Sequence, residues 1–229
     1  ALFTVLVISG FLLKKPDGDT VFPESKVKNT KAGNFESKDY TSMQMLCRVS
    51  FWMAFVCISL LAAVGSSVIS FAKDLSLSVN APEALAVSLV GVLSICNGLG
   101  RIITGAVFDI IGCRKTMICA NLLTIGAATV TLIAVYIGSL PLCIAGVCLT
   151  GMSYGACPTI TAACTSTFFG MKHFSSNMAL MTFTVMVGSF IATASNKVLE
   201  VSGGYTAPFI MLLGLTVVAL VLNLFIKKP

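Results

Sequence analysis

The sequence predicts an all-α integral membrane protein organised as a six-helix transmembrane bundle, and three observations carry that expectation. The 229 residues are 56% hydrophobic and only 10% charged, with a mean hydropathy of +0.96, where soluble domains carry about 25% charged residues. The apolar residues gather into six runs of about 20 or more, the length a helix needs to cross roughly 30 Å of hydrocarbon. The fifteen Lys and Arg fall almost entirely between those runs. So few charges cannot coat a globule, which excludes a soluble enzyme, a disordered chain and a nucleic-acid-binding protein.

Taken in order, residues 1–13 are apolar from the first position but too short to span, with no initiator Met and no basic n-region. They read as the end of a truncated transmembrane helix rather than a signal peptide. Residues 14–50 form the one long polar stretch, holding Pro16, Asp17, Gly18, Asp19 and Pro23 among scattered Lys and Glu. That composition suits a mobile inter-domain linker. The expected spans are 51–72, 84–108, 116–137, 141–164, 175–196 and 205–226, followed by a short tail, 227–229.

The charges orient the bundle. Seven Lys and Arg lie in the linker, and Arg114, Lys115, Lys172, Lys227 and Lys228 fall on the same side by alternation. Only Lys73 and Lys197 fall on the other side. The excess marks the linker, the 109–115 and 165–174 loops and the C-terminus as cytoplasmic, in a multi-pass protein of the plasma membrane. Most of the +6 net charge is therefore topology. The nine cysteines form no C-x-x-C pair and the chain has one His, which fits neither a zinc site nor a disulfide framework. They read as small hydrophobes that let helices approach closely, and no metal is expected.

One basic residue remains. Arg101 lies eight residues before Asp109, about 12 Å into the membrane. A charge at such depth costs at least about 2.5–3.5 kcal/mol, so it should face protein interior or a water cavity. Ser94, Asn97, Arg101 and Gly105 fall on one helical stripe. A buried guanidinium presents a planar fork of donors that suits a carboxylate. The alternative is a structural arginine paired with an acid or with backbone carbonyls. The spans contain no Asp or Glu away from their ends.

Arg101 is followed by Gly105, Asp109, Gly112, Arg114 and Lys115 in the spacing G-x-x-x-D-x-x-G-x-R-K. Physically, Gly105 permits close helix packing, Asp109 can cap a neighbouring helix, Gly112 permits a tight turn, and the two cations anchor the loop. The stretch resembles the loop signature of the major facilitator superfamily, in the copy between the second and third helices of the C-terminal half. It differs at Ile110, where a basic residue is common. The segments 97–101, Tyr154-Gly155 with Pro158, 168–172 and Asn177, together with 11–16 and 48–52, resemble the oxalate/formate antiporter family.

That resemblance implies the C-terminal half of a twelve-helix transporter, partnered by a preceding six-helix half. Its substrate is a small organic anion, held near the midplane by alternating access. In the family the arginine matching Arg101 binds the substrate carboxylate, and a lysine in the next-to-last helix adds a second positive charge. Here that position falls at Val185, and 175–196 holds no charged residue. One cation balances one carboxylate, so a monocarboxylate is preferred over oxalate. Asn97 and Tyr154 are expected to orient the anion. No cofactor is expected, and exchange or uniport is favoured over proton coupling.

Weaker candidates surround this set. Thr150, Cys157 and Thr161 share related spacings with Tyr154, either as a substrate wall or as helix contacts. Pro158 should loosen its helix. Thr184, Gly188 and Ala192 read as a packing stripe, and His173 sits at the membrane edge, poorly placed for a proton relay. Two other functions remain open: a carrier of neutral or drug-like solutes with a structural Arg101, or a polytopic protein that transports nothing.

Overall fold

The computed structural model describes residues 39–226. The truncated span expected over 1–13, the linker up to residue 38 and the tail 227–229 lie outside the described residues. Within them, every regular element is a helix: α1 (Ser42–Leu46), α2 (Val49–Ser78), α3 (Glu83–Ile111), α4 (Cys113–Ile137), α5 (Leu140–Phe169), α6 (Phe174–Ser202) and α7 (Thr206–Phe225). The six from α2 to α7 are each long and apolar enough to cross a membrane. Most outrun the apolar runs because a helix continues into polar surroundings once begun. The end of α2, for example, carries Lys73 and Asp74 beyond its apolar run.

Helix α2 is the central element and packs against all five other spans. One apolar cluster gathers Phe51, Ile58, Leu61, Met117, Ile160 and Phe169. A second gathers Val68, Phe71, Leu75, Val147, Phe209 and Leu212 toward the other end of the bundle. Helix α2 leaves helical geometry at Phe71 (φ −118, ψ 15), where the ring packs against Tyr205 and Phe209 at 5.5 and 5.7 Å between centroids.

Lipid tails are as apolar as leucine, so helices in a membrane associate through close van der Waals fit rather than hydrophobic force. Small residues supply that fit at each main seam. A Cβ on Gly100 would overlap the Met152 backbone, one on Gly151 the Leu93 carbonyl, and one on Gly155 the Asn97 carbonyl. Helices α3 and α5 therefore cross backbone against backbone. Helix α6 meets α2 where Gly188 faces Ala62 and Ala63, and α5 meets α2 where the Tyr154 ring lies on Gly65. The stripe Thr184, Gly188 and Ala192 is buried, as a packing stripe should be. Buried hydroxyls spend their donors inside their own helices, as Ser67 does on Ala63 O (2.7 Å) and Thr131 on Ala127 O (2.8 Å).

The polar stretch ends in fixed structure. Thr41 caps α1 with a reciprocal bond to Gln44, and Met45 is fully buried. The Tyr40 amide donates to Phe169 O at 3.0 Å, and its ring meets Phe169 edge-on at 6.0 Å. The Lys172 amide donates to the Asp39 carboxylate at 3.2 Å. Asn177 of α6 joins both sides, donating to Tyr40 O (3.0 Å) and accepting from Ser42 Oγ (3.0 Å). A segment that composition assigns to a linker is thus strapped across the α5–α6 turn, because one buried amide satisfies groups that would otherwise need water.

Two outcomes follow. Gly155→Ala should lower the thermal unfolding midpoint of the detergent-purified protein, by about 1–3 kcal/mol of overpacking, while Gly126→Ala, where the added Cβ meets open space, should not; equal midpoints would contradict the crossing. Asn177→Ala removes two bonds of roughly 1 kcal/mol each and should speed proteolysis within 39–48, read by limited digestion.

Candidate functional site

Arg101 sits on α3, ten residues before its end at Ile111, about 15 Å along the helix. Its side chain is exposed, and among the described residues the guanidinium has no ion pair or hydrogen bond; the one ion pair found is Lys73–Glu83 at 3.4 Å, at the opposite end of α3. The described acids, Asp39, Asp74, Glu83, Asp109 and Glu200, lie at or near helix ends and turns. Arg101 thus faces outward from this bundle rather than into its interior, since the seam of α3 is taken by Ala86, Leu89, Leu93 and Gly100.

The expected stripe lies beside that seam. Ser94 is exposed, and Asn97 and Gly105 are partly buried. Asn97 sits over the α5 crossing, its carbonyl against Gly155. Its side-chain Oδ1 is buried without a hydrogen-bond partner, an arrangement that native proteins rarely leave unfilled. Thr159 Oγ1 approaches Arg101 O at 3.5 Å. The crossing therefore brings the 97–101 segment onto the Gly155 region of α5, a meeting that linear spacing does not show.

Tyr154 is one residue away yet turns elsewhere. Successive helical residues point about 100° apart, so Gly155 meets α3 while the Tyr154 ring lies on Gly65 of α2. Its hydroxyl has no partner among the described residues. Pro158 has no N–H to offer the Tyr154 carbonyl one turn back, although α5 continues as helix past it. The other members of that stripe belong to the core: Thr150, Cys157 and Thr161 are buried, and the two threonines donate to Gly146 O and Cys157 O at 2.8 Å each. Within this bundle they are helix contacts.

The loop signature divides similarly. Gly112 is the single residue between α3 and α4, held at φ +78, a left-handed conformation that glycine adopts without strain. A Cβ on Gly105 would meet nothing within 4 Å, so it provides no close packing in this bundle. Asp109 is exposed and its side chain caps no described helix. Lys115 is exposed, while Arg114 donates to Leu224 O at 2.7 Å, a cation on the open C-terminal carbonyls of α7. His173 precedes α6 without capping it.

Two cavities open away from Arg101. One of about 430 Å³ is lined by Tyr40, Met43, Gln44, Cys47 and Arg48, with the Arg48 guanidinium 5.2 Å over the Tyr40 ring. The other, about 510 Å³, is lined by residues that include Ser78, Glu200 and Tyr205. Arg101 instead stands on an open face of α3, with the partly buried Asn97 beside it at the α5 crossing.

Residues 2–229 match the family model described as Major Facilitator Superfamily. No curated protein matches the chain.

Proposed function

The chain belongs to the major facilitator superfamily, and on that premise we propose that it moves small organic anions, carboxylates above all, across the membrane by alternating access. Membership makes it a membrane transporter, and its six apolar helices make it an integral membrane protein. The finer reading rests on one observation, the unpartnered guanidinium of Arg101 far from either end of a membrane-spanning helix. A structural arginine at that depth needs an acid or carbonyl to offset its lost hydration. None of the described residues supplies one.

In this reading a second six-helix half covers the open faces of α3 and α6, and Arg101 lies in the crevice between the halves, where such transporters hold substrate near the midplane. A carboxylate there accepts two parallel bonds from the guanidinium. The orphan Oδ1 of Asn97, one turn away, fixes a donor on the substrate or its water. Tyr154 contributes through the α2–α5 contact, which sets the wall beside the site. Residue 185 of α6 is valine, partly exposed at 38%, so a single positive charge selects a monocarboxylate. The excess of Lys and Arg on that side supports a cytosolic Gly112 turn. With the described acids confined to the helix ends and turns, exchange or uniport is the simpler coupling.

Arg101→Ala in the intact protein should reduce uptake of radiolabelled monocarboxylates into proteoliposomes tenfold or more, the scale of losing charge-assisted bonds worth about 1.5–3 kcal/mol. Undiminished uptake would contradict the anion site, and competition by neutral solutes alone would favour a carrier with a structural Arg101. Val185→Lys should raise uptake of a dicarboxylate over the parent protein.

A further inference from the structure

Nine thiols are free in the structure; Cys96 and Cys148 are in hydrogen-bond contact, and Cys113 and Cys164 meet at the α4–α5 contact. Cys113 is the first residue of α4 and Cys164 lies near the end of α5. Their Sγ atoms stand 2.8 Å apart, closer than unbonded sulfurs normally rest. Fifty-one positions separate them in sequence, so no cysteine spacing announces the pair. The Cys164 thiol also approaches Met117 Sδ at 3.3 Å. Cys113 is 7% exposed at the mouth of the Gly112 turn, whereas Cys164 is wholly buried.

We propose that Cys113 and Cys164 are a redox pair that a small peroxide converts to a reversible disulfide. A sulfur–sulfur bond is about 2.05 Å long, so closure needs a movement of about 0.8 Å, within the reach of two χ1 angles at a turn. The asymmetry of burial sets the order. The Cys113 sulfur, the less buried of the two, attacks the peroxide and takes one oxygen while the O–O bond breaks and water leaves. The Cys164 sulfur then displaces that oxygen from Cys113, and its thiol proton departs with it as a second water. Two thiols lose two electrons, and one peroxide becomes two waters. A disulfide of this kind is transient and sensing in a reducing compartment rather than structural.

The bond would join the start of α4 to α5 beside the one-residue turn and beside Arg114, which holds the end of α7. It therefore fixes the signature turn to the bundle.

The test uses the purified wild-type protein in proteoliposomes, treated with low hydrogen peroxide, alkylated and mapped by mass spectrometry. A Cys113–Cys164 linked peptide should form in most chains and disappear with dithiothreitol, while the exposed Cys47 and Cys119 remain alkylated or acquire only monomeric oxidation. Cys113→Ser and Cys164→Ser should each abolish the linked peptide. Retention of both thiols in the wild-type protein while Cys47 and Cys119 oxidise would overturn the proposal. So would protection of the pair by a stoichiometric Cu(I) ion that a chelator removes, which would assign the three sulfurs to soft-metal binding.

Discussion

The bundle depends on how closely two backbones can approach without a hydrophobic force to press them together. Gly100, Gly151 and Gly155 let α3 and α5 cross at a distance any side chain would prevent. Everything of interest on α3 follows from that seam. Once Leu89, Leu93 and Gly100 face α5, Arg101 and Ser94 are turned to the open side and Asn97 is left at the margin. The charge is thus positioned by residues that carry none.

Composition and spacing were enough for the six spans, because a transmembrane helix announces itself by apolar length alone. Arg101 was legible for the complementary reason: a charge within an apolar run has few innocent explanations. The Gly112 turn was also readable, since a lone glycine between two helices has a local cause. Asp109 and Gly105 were not. Their expected roles depend on what stands opposite, and in this bundle nothing close does. Tyr154 shows the same limit at finer grain. Its neighbour Gly155 faces α3, and a single 100° step carries the tyrosine to α2.

The strap at the beginning of α2 was hidden for another reason. Residues 39–48 look like the rest of a polar connector, and their order comes from Asn177, well over a hundred positions away. Asn177, picked out by its likeness to a transporter family, has a structural duty here: it satisfies a backbone carbonyl and a serine hydroxyl at once. The resemblance identified the residue, and the geometry supplied the reason. Cys113 and Cys164 are hidden likewise, since their proximity is a property of the α4–α5 packing and of no local pattern.

The strap also alters where force enters the bundle. A chain that ran freely from residue 14 to α2 would deliver any pull to the first turn of α2. Asp39 and Tyr40 instead hold the α5–α6 turn, and Asn177 holds the opening of α6. Tension reaching Asp39 is therefore borne first by α5 and α6, ahead of α2. The described start of the chain is thus anchored on the fourth and fifth spans, at Asp39 and Tyr40, before it reaches Val49.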